Sequence, residues 1–221
     1  MKVTASEVKK IAYLDGLRGV AAVMVFNGHL MISLLPAVIT FQAQELHSSY
    51  DVAFGLSPLR VLFSGNFGVC VFFVLSGFVL SDFCLHTRIS FPAQLVRRYF
   101  RLALPMLITS TFAWLLLHFH LYKNLDAASL VTKSGWLSIW YQFDPNFWVM
   151  AREALVTAFY KGSAVYNSNL WTMKIELLGS LYIFLLHVLF KNANLRVAAA
   201  LLYIFLNPWS YFDGFFVGAI L

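Results

Sequence analysis

Three long stretches without a charged residue constrain the fold of this chain more than any other feature. Residues 19–44, 61–81 and 102–122 contain no Asp, Glu, Lys or Arg. Each is at least as long as the ~20 apolar residues that a helix needs to cross a bilayer. Charged residues make up 12% of the 221 residues, whereas soluble domains carry roughly 25%. A soluble protein of this size cannot bury so much apolar surface, so we predict an integral, multi-pass membrane protein.

Three further stretches extend this pattern towards the end of the sequence. Residues 170–190 carry Lys174 and Glu176 near their start, residues 197–212 form a plausible fifth span, and residues 214–221 resemble the opening of a sixth. We therefore predict an all-α fold with about five transmembrane helices and the start of another. A cleaved signal peptide is the competing interpretation of the first stretch, but that stretch is longer than a signal-peptide core and no small-residue cleavage motif follows it.

The distribution of basic residues predicts the orientation of these helices. If consecutive spans alternate in direction, ten basic residues fall on the side of the N-terminus: Lys2, Lys9, Lys10, Arg18, Arg88, Arg97, Arg98, Arg101, Lys191 and Arg196. The opposite side receives five: Arg60, Lys123, Lys133, Arg152 and Lys161. Because cytoplasmic loops carry an excess of Lys and Arg, we expect the N-terminus to lie in the cytoplasm.

The long connection formed by residues 123–169 is rich in aromatic residues and, in this orientation, extracytoplasmic. It contains Trp136, Trp140, Tyr141, Phe147 and Trp148. The favoured interpretation is an interfacial helix whose aromatic side chains lie at the depth of the lipid headgroups. The alternative is that the segment forms part of the surface that binds an acceptor substrate.

A histidine and an arginine share one face of the first predicted helix. His29 lies inside the apolar stretch, where an ionisable group is costly and indicates function by default. Arg18 precedes it by eleven residues, which on a helix corresponds to three turns plus about 20° and an axial distance of roughly 16 Å. Arg18 is then expected at the membrane surface and His29 near the midplane. This geometry suits a ligand with an anionic head and a long thin arm.

Two roles are compatible with this position of His29. Imidazole accepts protons near neutral pH, so His29 is a candidate general base at the end of such an arm. The alternative is a structural histidine that only forms a hydrogen bond with a neighbouring helix. The residues alone leave both roles open.

Further charged residues are candidates for binding anions or for polar chemistry. Arg98 and Arg101 are three residues apart and share a helix face. They either anchor the helix to anionic headgroups, which is the usual reason for such a run, or clamp a phosphate with their planar guanidinium groups. Lys174 and Glu176 are two residues apart and cannot face each other. Of the two, Glu176 is expected to face the interior of the helix bundle.

Four segments, in this order along the chain, resemble the acyltransferase type 3 family of membrane O-acyltransferases. They are YLDGLRGVAAVMVFNGHL, FFVLSGFVL, RRYFRLALP and NSNLWTMKIELLGSLYIF. The first contains the family's Arg-x10-His pattern at Arg18 and His29. The third contains its Arg-x-x-Arg pattern at Arg98 and Arg101.

The fourth segment resembles the family's Trp-x4-Glu segment, at Trp171 and Glu176, and the resemblance spans residues 13 to about 186. It implies an enzyme that transfers an acyl group, often acetyl, from a coenzyme A thioester to a hydroxyl group. The donor is then acyl-CoA, with acetyl-CoA expected. The acceptors of the family are hydroxyl groups of carbohydrates, lipids or secondary metabolites, and no nucleic acid partner is expected.

The resemblance also implies roles for the candidate residues. Arg98 and Arg101, together with Arg18, are expected to bind the phosphates of the donor. His29 is expected to act as general base on the acceptor hydroxyl, in a direct transfer or through a transient acyl-histidine. Glu176 is expected to be catalytic, either by orienting His29 or by binding the acceptor.

Members of the family usually have more spans than this chain. Residues 1–221 are therefore expected to form a single acyltransferase-like membrane domain that is incomplete at its C-terminus. Two alternatives to an active enzyme stay open: a non-catalytic fragment, and a transport or proton-relay module that uses the same polar residues. The His, Cys and acidic residues show no metal-ligand spacing, so no metal is expected. No pattern in the sequence indicates an oligomeric state.

Overall fold

The computed structural model describes residues 5–86, 89–162 and 164–221 of the protein, and for residues 5–12 it describes the backbone alone. Every regular element in these ranges is helical, which confirms the predicted all-α fold for the described chain. Lys2 and Arg88, two of the basic residues used to predict the orientation, lie outside the described residues.

The described ranges contain six longer helices and several short ones. The longer helices are α1 (Ala5–Leu34), α2 (Gly65–His86), α3 (Phe91–His118), α4 (Thr172–Leu189), α5 (Ala193–Leu206) and α6 (Phe212–Ile220). The short α-helices are Ala37–Thr40, Asp51–Leu56, Asn124–Ala127, Gly135–Ser138, Phe147–Arg152 and Ala158–Lys161. The 3-10 turns are Ala43–Glu45, Pro58–Phe63 and Ser168–Trp171, and the π-helical turns are Ala128–Thr132 and Glu153–Thr157.

Four stretches among the described residues are long and apolar enough to cross a membrane. They are Tyr13–Leu34, Gly65–His86, Phe91–His118 and Ser168–Leu189. Each overlaps one of the first four spans predicted from the sequence. The predicted fifth and sixth spans correspond to the shorter helices α5 and α6. At 14 residues, α5 is about 21 Å long, which is less than the ~30 Å of a hydrocarbon core.

The first apolar helix ends earlier than the uncharged stretch of residues 19–44 predicts. α1 ends at Leu34, and the next residue but one is Pro36. Proline has no backbone N–H to continue the helical hydrogen bonding, so the chain turns there. On the N-terminal side α1 extends back to Ala5. Arg18 and His29 therefore lie on one uninterrupted helix, as the argument about their shared face requires.

The third apolar helix begins earlier than predicted and includes the arginine cluster. α3 starts at Phe91 and carries proline in its first turn, where no backbone N–H is needed. It also continues through Pro105, although a proline inside a helix removes one backbone hydrogen bond. Arg98 and Arg101 thus lie on the same helix as the apolar residues that follow them.

The described chain divides into two compact units. The first comprises the described residues of Met1–Phe72 together with Lys123–Trp140. The second comprises the described residues of Phe73–Tyr122 and Tyr141–Leu221. Residues 123–169, predicted as one outer loop, contribute short helices to both units. The single-domain boundary and the location of this loop stay predictions.

In the first unit, glycines allow the backbone to approach α1 closely. A Cβ atom on Gly28 would lie 2.9 Å from the carbonyl oxygen of Phe63. A Cβ atom on Gly68, at the start of α2, would lie 2.8 Å from the carbonyl oxygen of Ala21. Any larger residue would push the segments apart, which is the usual reason for small residues between membrane helices.

In the second unit, α2 and α6 touch backbone to backbone. A Cβ atom on Gly77 would overlap the backbone of Phe215, and one on Gly218 would overlap the carbonyl of Val74. The ring of Phe215 is fully buried and lies over Gly179 of α4. The three helices α2, α4 and α6 are therefore closely packed against each other in this unit.

Candidate functional site

The imidazole of His29 lies beside an indole ring in the first unit. His29 is half-buried on α1, and its ring centroid is 5.6 Å from that of Trp136, with 37° between the ring planes. Within the part of the chain that the structure describes, neither ring nitrogen of His29 has a hydrogen-bond or ion-pair partner. Both nitrogens are therefore unbonded in this part of the chain. The structural alternative, a hydrogen bond to a neighbouring helix, does not occur among these residues.

Trp136 reaches this position because the short helix Gly135–Ser138 is attached to the end of α1. The hydroxyl of Ser134, which is 1% exposed, donates to the carbonyl oxygen of Ile32 over 2.6 Å. In a continuing helix that carbonyl would accept from the N–H of residue 36, and Pro36 has none. Ser134 therefore satisfies a carbonyl that the proline leaves open, one turn beyond His29.

A buried carboxylate fixes the same short helix from a second side. Glu45 is 4% exposed and accepts the backbone N–H of Gly135 over 2.9 Å. Its other carboxylate oxygen accepts the hydroxyl of Thr40. At the far end, the amide of Asn124 donates to the carbonyl of Trp140 over 2.8 Å. Because a buried carboxylate is costly without partners, this set of bonds defines one conformation for the segment that carries Trp136.

Arg18, the predicted phosphate ligand on α1, has one weak partner. Its Nη1 lies 3.2 Å from a carboxylate oxygen of Asp15, and the two side chains are 33% and 60% exposed. Ion pairs at this level of exposure contribute little because water and salt screen them. The guanidinium can therefore exchange this partner for a more highly charged anion.

Arg98 and Glu176, both predicted site residues, form an ion pair in the second unit. Nη2 of Arg98 on α3 lies 2.7 Å from Oε2 of Glu176 on α4, and the side chains are only 12% and 14% exposed. Glu176 thus faces the interior, as predicted. Charged groups that are this far from water need a partner. Here Arg98 and Glu176 are each other's partner.

Two serines complete the hydrogen bonding of this pair. The hydroxyl of Ser76 on α2 donates to Oε1 of Glu176 over 2.8 Å. Nε of Arg98 donates to Oγ of Ser180 over 2.9 Å, and the Ser180 hydroxyl donates to the backbone carbonyl of Glu176 over 2.6 Å. Both carboxylate oxygens are therefore engaged. This arrangement favours a role for Glu176 in holding Arg98 over a role as a free acid or base.

Arg101 is in a different environment from Arg98, although the two share the Arg-x-x-Arg pattern. Its side chain is exposed. Among the described residues it has no hydrogen bond or ion pair. A bidentate guanidinium without a protein partner suits an incoming phosphate. Of the two arginines, Arg101 is the one with free donors, whereas Arg98 is fixed by Glu176 and Ser180.

A second histidine in the apolar helices, His187 of α4, is fully engaged. Its Nε2 lies 3.1 Å from the hydroxyl of Ser81 on α2, and its Nδ1 lies 3.0 Å from the carbonyl of Ile183. Because the carbonyl can only accept, Nδ1 carries the proton and Nε2 accepts the serine hydroxyl. His187 is 9% exposed and Ser81 8% exposed. This pair joins α2 to α4 and leaves no nitrogen free.

The second unit also contains a cavity of about 430 Å³ that none of the predicted site residues lines. Its walls include Tyr122 and Tyr141, whose rings stack with centroids 4.1 Å apart. Burial raises the pKa of the Tyr141 phenol, and the neighbouring Tyr122 raises it further. The phenol therefore stays protonated at neutral pH and can donate a hydrogen bond. The other lining residues are Ile108, Thr109, Phe112, Ala113, Tyr166 and Asn167.

Sequence reasoning missed some residues of these clusters. Neither Ser76 nor Ser180 was among the residues predicted for the site. The available signal was that Glu176, in an apolar helix, needs donors from neighbouring helices. Trp136 was singled out only as one of several aromatics in residues 123–169. In the described ranges, no three His, Cys, Asp or Glu residues are grouped as a metal site would require.

Comparison with known proteins identifies the kind of chain that carries these clusters. A family model described as an acyltransferase domain matches residues 11–218. Acyltransferase clz18 of Cochliobolus lunatus is 24% identical over 86% of this chain and 52% of its own length. Acyltransferase R4 of a Phoma species is 25% identical over 84% of this chain and 50% of its own length. The chain thus spans about half the length of these relatives. No solved structure matches it.

Proposed function

We propose, since this chain belongs to the acyltransferase type 3 family, that it is a multi-pass membrane O-acyltransferase. It moves an acyl group from acyl-CoA to a hydroxyl group of a carbohydrate, lipid or secondary metabolite. Acetyl-CoA is the expected donor. The proposal includes five spans and the start of a sixth, with the N-terminus in the cytoplasm, in keeping with the excess of basic residues on that side.

The observation that carries this proposal is the free imidazole of His29. A histidine with a purely structural role in an apolar helix bonds to its surroundings, as His187 does through both nitrogens. His29 contacts an aromatic ring instead and has no bonded nitrogen among the described residues. A neutral imidazole with a free nitrogen is what a general base at neutral pH requires.

The proposed reaction uses His29 to move one proton. The acceptor oxygen attacks the carbonyl carbon of the thioester while its hydroxyl proton passes to His29. The carbon–sulfur bond breaks, a carbon–oxygen bond has formed, and the proton on His29 passes to the departing thiolate. The products are an ester and free coenzyme A. A route through a transient acyl-histidine has the same overall balance.

The arginines are assigned to the anionic end of the donor. Arg101 has exposed donors without a partner among the described residues, and Arg18 has only a weak one. Arg98 lies one turn before Arg101 on α3 and is held there by Glu176 and Ser180. Glu176 then acts as a positioning residue through Arg98, which revises the catalytic role expected for it. Arg18 and His29 are roughly 16 Å apart along α1, a span that a long thin arm can bridge.

The proposal is tested with labelled acetyl-CoA and membranes that contain the protein. We follow the loss of thioester and the incorporation of label into lipid, glycan or added alcohols. The wild type is compared with His29→Ala. The matched control is His118→Gln, at the exposed end of α3. We expect turnover in the wild type and the control, and a loss of about 100-fold or more in His29→Ala. Equal turnover in His29→Ala contradicts the assignment, and ion or metabolite flux without thioester loss indicates a transport module instead.

A further inference from the structure

The aromatic ring beside His29 belongs to a cluster that no step of the proposed reaction uses. The indole of Trp136 lies beside both His29 and Trp140, and the two indole centroids are 5.8 Å apart in an edge-to-face arrangement. Aromatic pairs at these distances attract each other and restrict ring rotation. The proposed base is thus covered on one face by a ring that is itself held in place.

The backbone that carries this cluster is fixed more firmly than a surface segment needs to be. Ser134 bonds to the carbonyl of Ile32, Glu45 bonds to the N–H of Gly135, and Asn124 bonds to the carbonyl of Trp140. The first two involve side chains that are less than 5% exposed. An interfacial segment that only anchors aromatic residues in headgroups does not require buried polar bonds to the end of α1. Groups that handle substrates do require such fixed supports.

The cluster also contains a polar group that lacks a partner. Nε1 of Trp140 is buried and has no acceptor among the described residues. An unpaired buried donor is unfavourable, and a ligand oxygen can relieve that cost. The cluster therefore combines an indole ring beside a free imidazole with an unpaired N–H donor on the neighbouring indole. An acceptor that matches this has a hydroxyl-bearing ring with one apolar face.

We infer that Trp136 forms one wall of the acceptor site, against which the ring of a cyclic alcohol packs so that its hydroxyl group meets His29. The inference rests on the proposed function and names the acceptor class for it. Trp136 also keeps water from the imidazole. If water replaces the acceptor, the thioester is hydrolysed to a free acid and coenzyme A, and no ester forms. Trp136 is a specificity residue in this account, and Ser134 and Glu45 are positioning residues.

The first experiment measures how far Trp136 covers His29, without any need for turnover. Diethyl pyrocarbonate modifies free imidazoles, and mass spectrometry reports its rate at His29. We expect Trp136→Ala to raise that rate roughly two- to tenfold, the change that the loss of one aromatic contact allows. Trp136→Phe keeps a ring and is expected to behave like the wild type. Trp148→Ala is the matched control, because Trp148 is 77% exposed.

The same samples show whether the second unit of each variant is intact. His187 is buried and bonded through both nitrogens, so it stays unmodified as long as the second unit is intact. Ser134→Ala provides a second route to the same result, because it loosens the short helix and leaves the indole in place. If His29 is modified at the same rate in Trp136→Ala, Ser134→Ala and the wild type, Trp136 is not a wall and the inference is wrong.

The second experiment tests the acceptor class with labelled acetyl-CoA and two probe alcohols of equal carbon number, cyclohexanol and n-hexanol. We expect the wild type to acetylate cyclohexanol faster than n-hexanol. In Trp136→Ala the ratio of these two rates should fall roughly two- to tenfold. Thioester hydrolysis without an acceptor should rise in the same variant. Trp136→Phe should retain most of the preference. An unchanged preference in Trp136→Ala, or acetyl-CoA turnover with transfer to neither alcohol, overturns the inference. If turnover does not depend on His29 while Trp136 still shields His29 from diethyl pyrocarbonate, the proposed function is wrong. The contact between Trp136 and His29 is then still supported.

Discussion

His29 and His187 are the same residue type in comparably apolar helices, yet their surroundings differ completely. His187 donates from Nδ1 to the Ile183 carbonyl and accepts from the Ser81 hydroxyl through Nε2. His29 faces the ring of Trp136 and has no bonded nitrogen among the described residues. A polar group inside an apolar helix is costly, and at His187 the fold removes that cost with two hydrogen bonds. At His29 it does not, which is the expected pattern when a substrate is the missing partner.

The difference between the two histidines separates residues that stabilise the fold from residues that are candidates for catalysis or binding. Arg98 and Glu176 resemble His187, since their polar atoms are engaged with each other and with Ser76 and Ser180. Arg101 resembles His29, because it is exposed and has no partner among the described residues. Variants of the engaged set should change stability first. Variants of the free set should change turnover first.

The largest effect on stability is expected from Glu176→Ala. It leaves the guanidinium of Arg98 partly buried without its carboxylate, which costs about 3–5 kcal/mol for a buried pair. The measurement is the free energy of unfolding in detergent or lipid. The control is the double variant that combines Arg98→Met with Glu176→Leu. The double variant should recover much of the loss, because neither charge is then left unpaired. A single variant as stable as the wild type would show that the pair does not form.

The next effect is on the pH dependence of turnover. A protonated imidazole cannot accept the acceptor's proton. Turnover should therefore fall as the pH is lowered and His29 gains a proton, and it should level off at higher pH. The rate is measured from pH 5 to pH 8 at saturating acetyl-CoA. A flat profile over this range would argue against His29 as the base.

A smaller effect is expected from Ser81→Ala. It removes the donor to Nε2 of His187 and leaves a buried acceptor unsatisfied, which typically costs about 1–3 kcal/mol. The melting temperature should fall, while turnover per folded molecule stays at the wild-type value. Ser129→Ala serves as a control, because that hydroxyl is exposed and donates only to the nearby carbonyl of Asp126, over 3.3 Å. A selective loss of turnover in Ser81→Ala would move the Ser81–His187 pair from the structural to the functional set.

The smallest effect on stability is expected from Arg18→Gln. The pair with Asp15 is largely exposed, so its loss should cost at most about 1 kcal/mol. The same variant should raise the KM for acetyl-CoA, because Arg18 is assigned to the donor phosphates. Asp15→Asn is the matched control, since it breaks the pair and leaves the guanidinium in place. If both variants change the KM equally, the pair itself matters and Arg18 is not a phosphate ligand.

The sequence predicts much of the helical framework because helix length and apolar composition are local properties. Three of the four apolar helices follow from uncharged stretches, and the fourth follows from an apolar stretch that carries Lys174 and Glu176 near its start. The ends of the helices are less predictable, because they depend on single residues such as Pro36. α1 ends at Leu34, ten residues before the end of the uncharged stretch. The interior position of Glu176 also followed from the cost of burying a carboxylate.

The partners of the site residues could not be predicted, because they come from segments distant in sequence. Ser76 is 100 residues from Glu176, and Trp136 is 107 residues from His29. No periodic pattern records which distant side chain faces which. For the same reason the Arg-x-x-Arg spacing suggests one shared role for Arg98 and Arg101, whereas the structure gives them different environments. Spacing on a helix sets a face, and the neighbouring helices decide what that face meets.

The most direct test of this account measures turnover and melting temperature side by side for His29→Ala and His187→Ala. We predict that His29→Ala loses about 100-fold or more of the acetyl-CoA turnover and melts at the wild-type temperature. His187→Ala should melt at a lower temperature and keep wild-type turnover per folded molecule. The opposite assignment, with turnover surviving in His29→Ala and lost in a well-folded His187→Ala, would contradict the account.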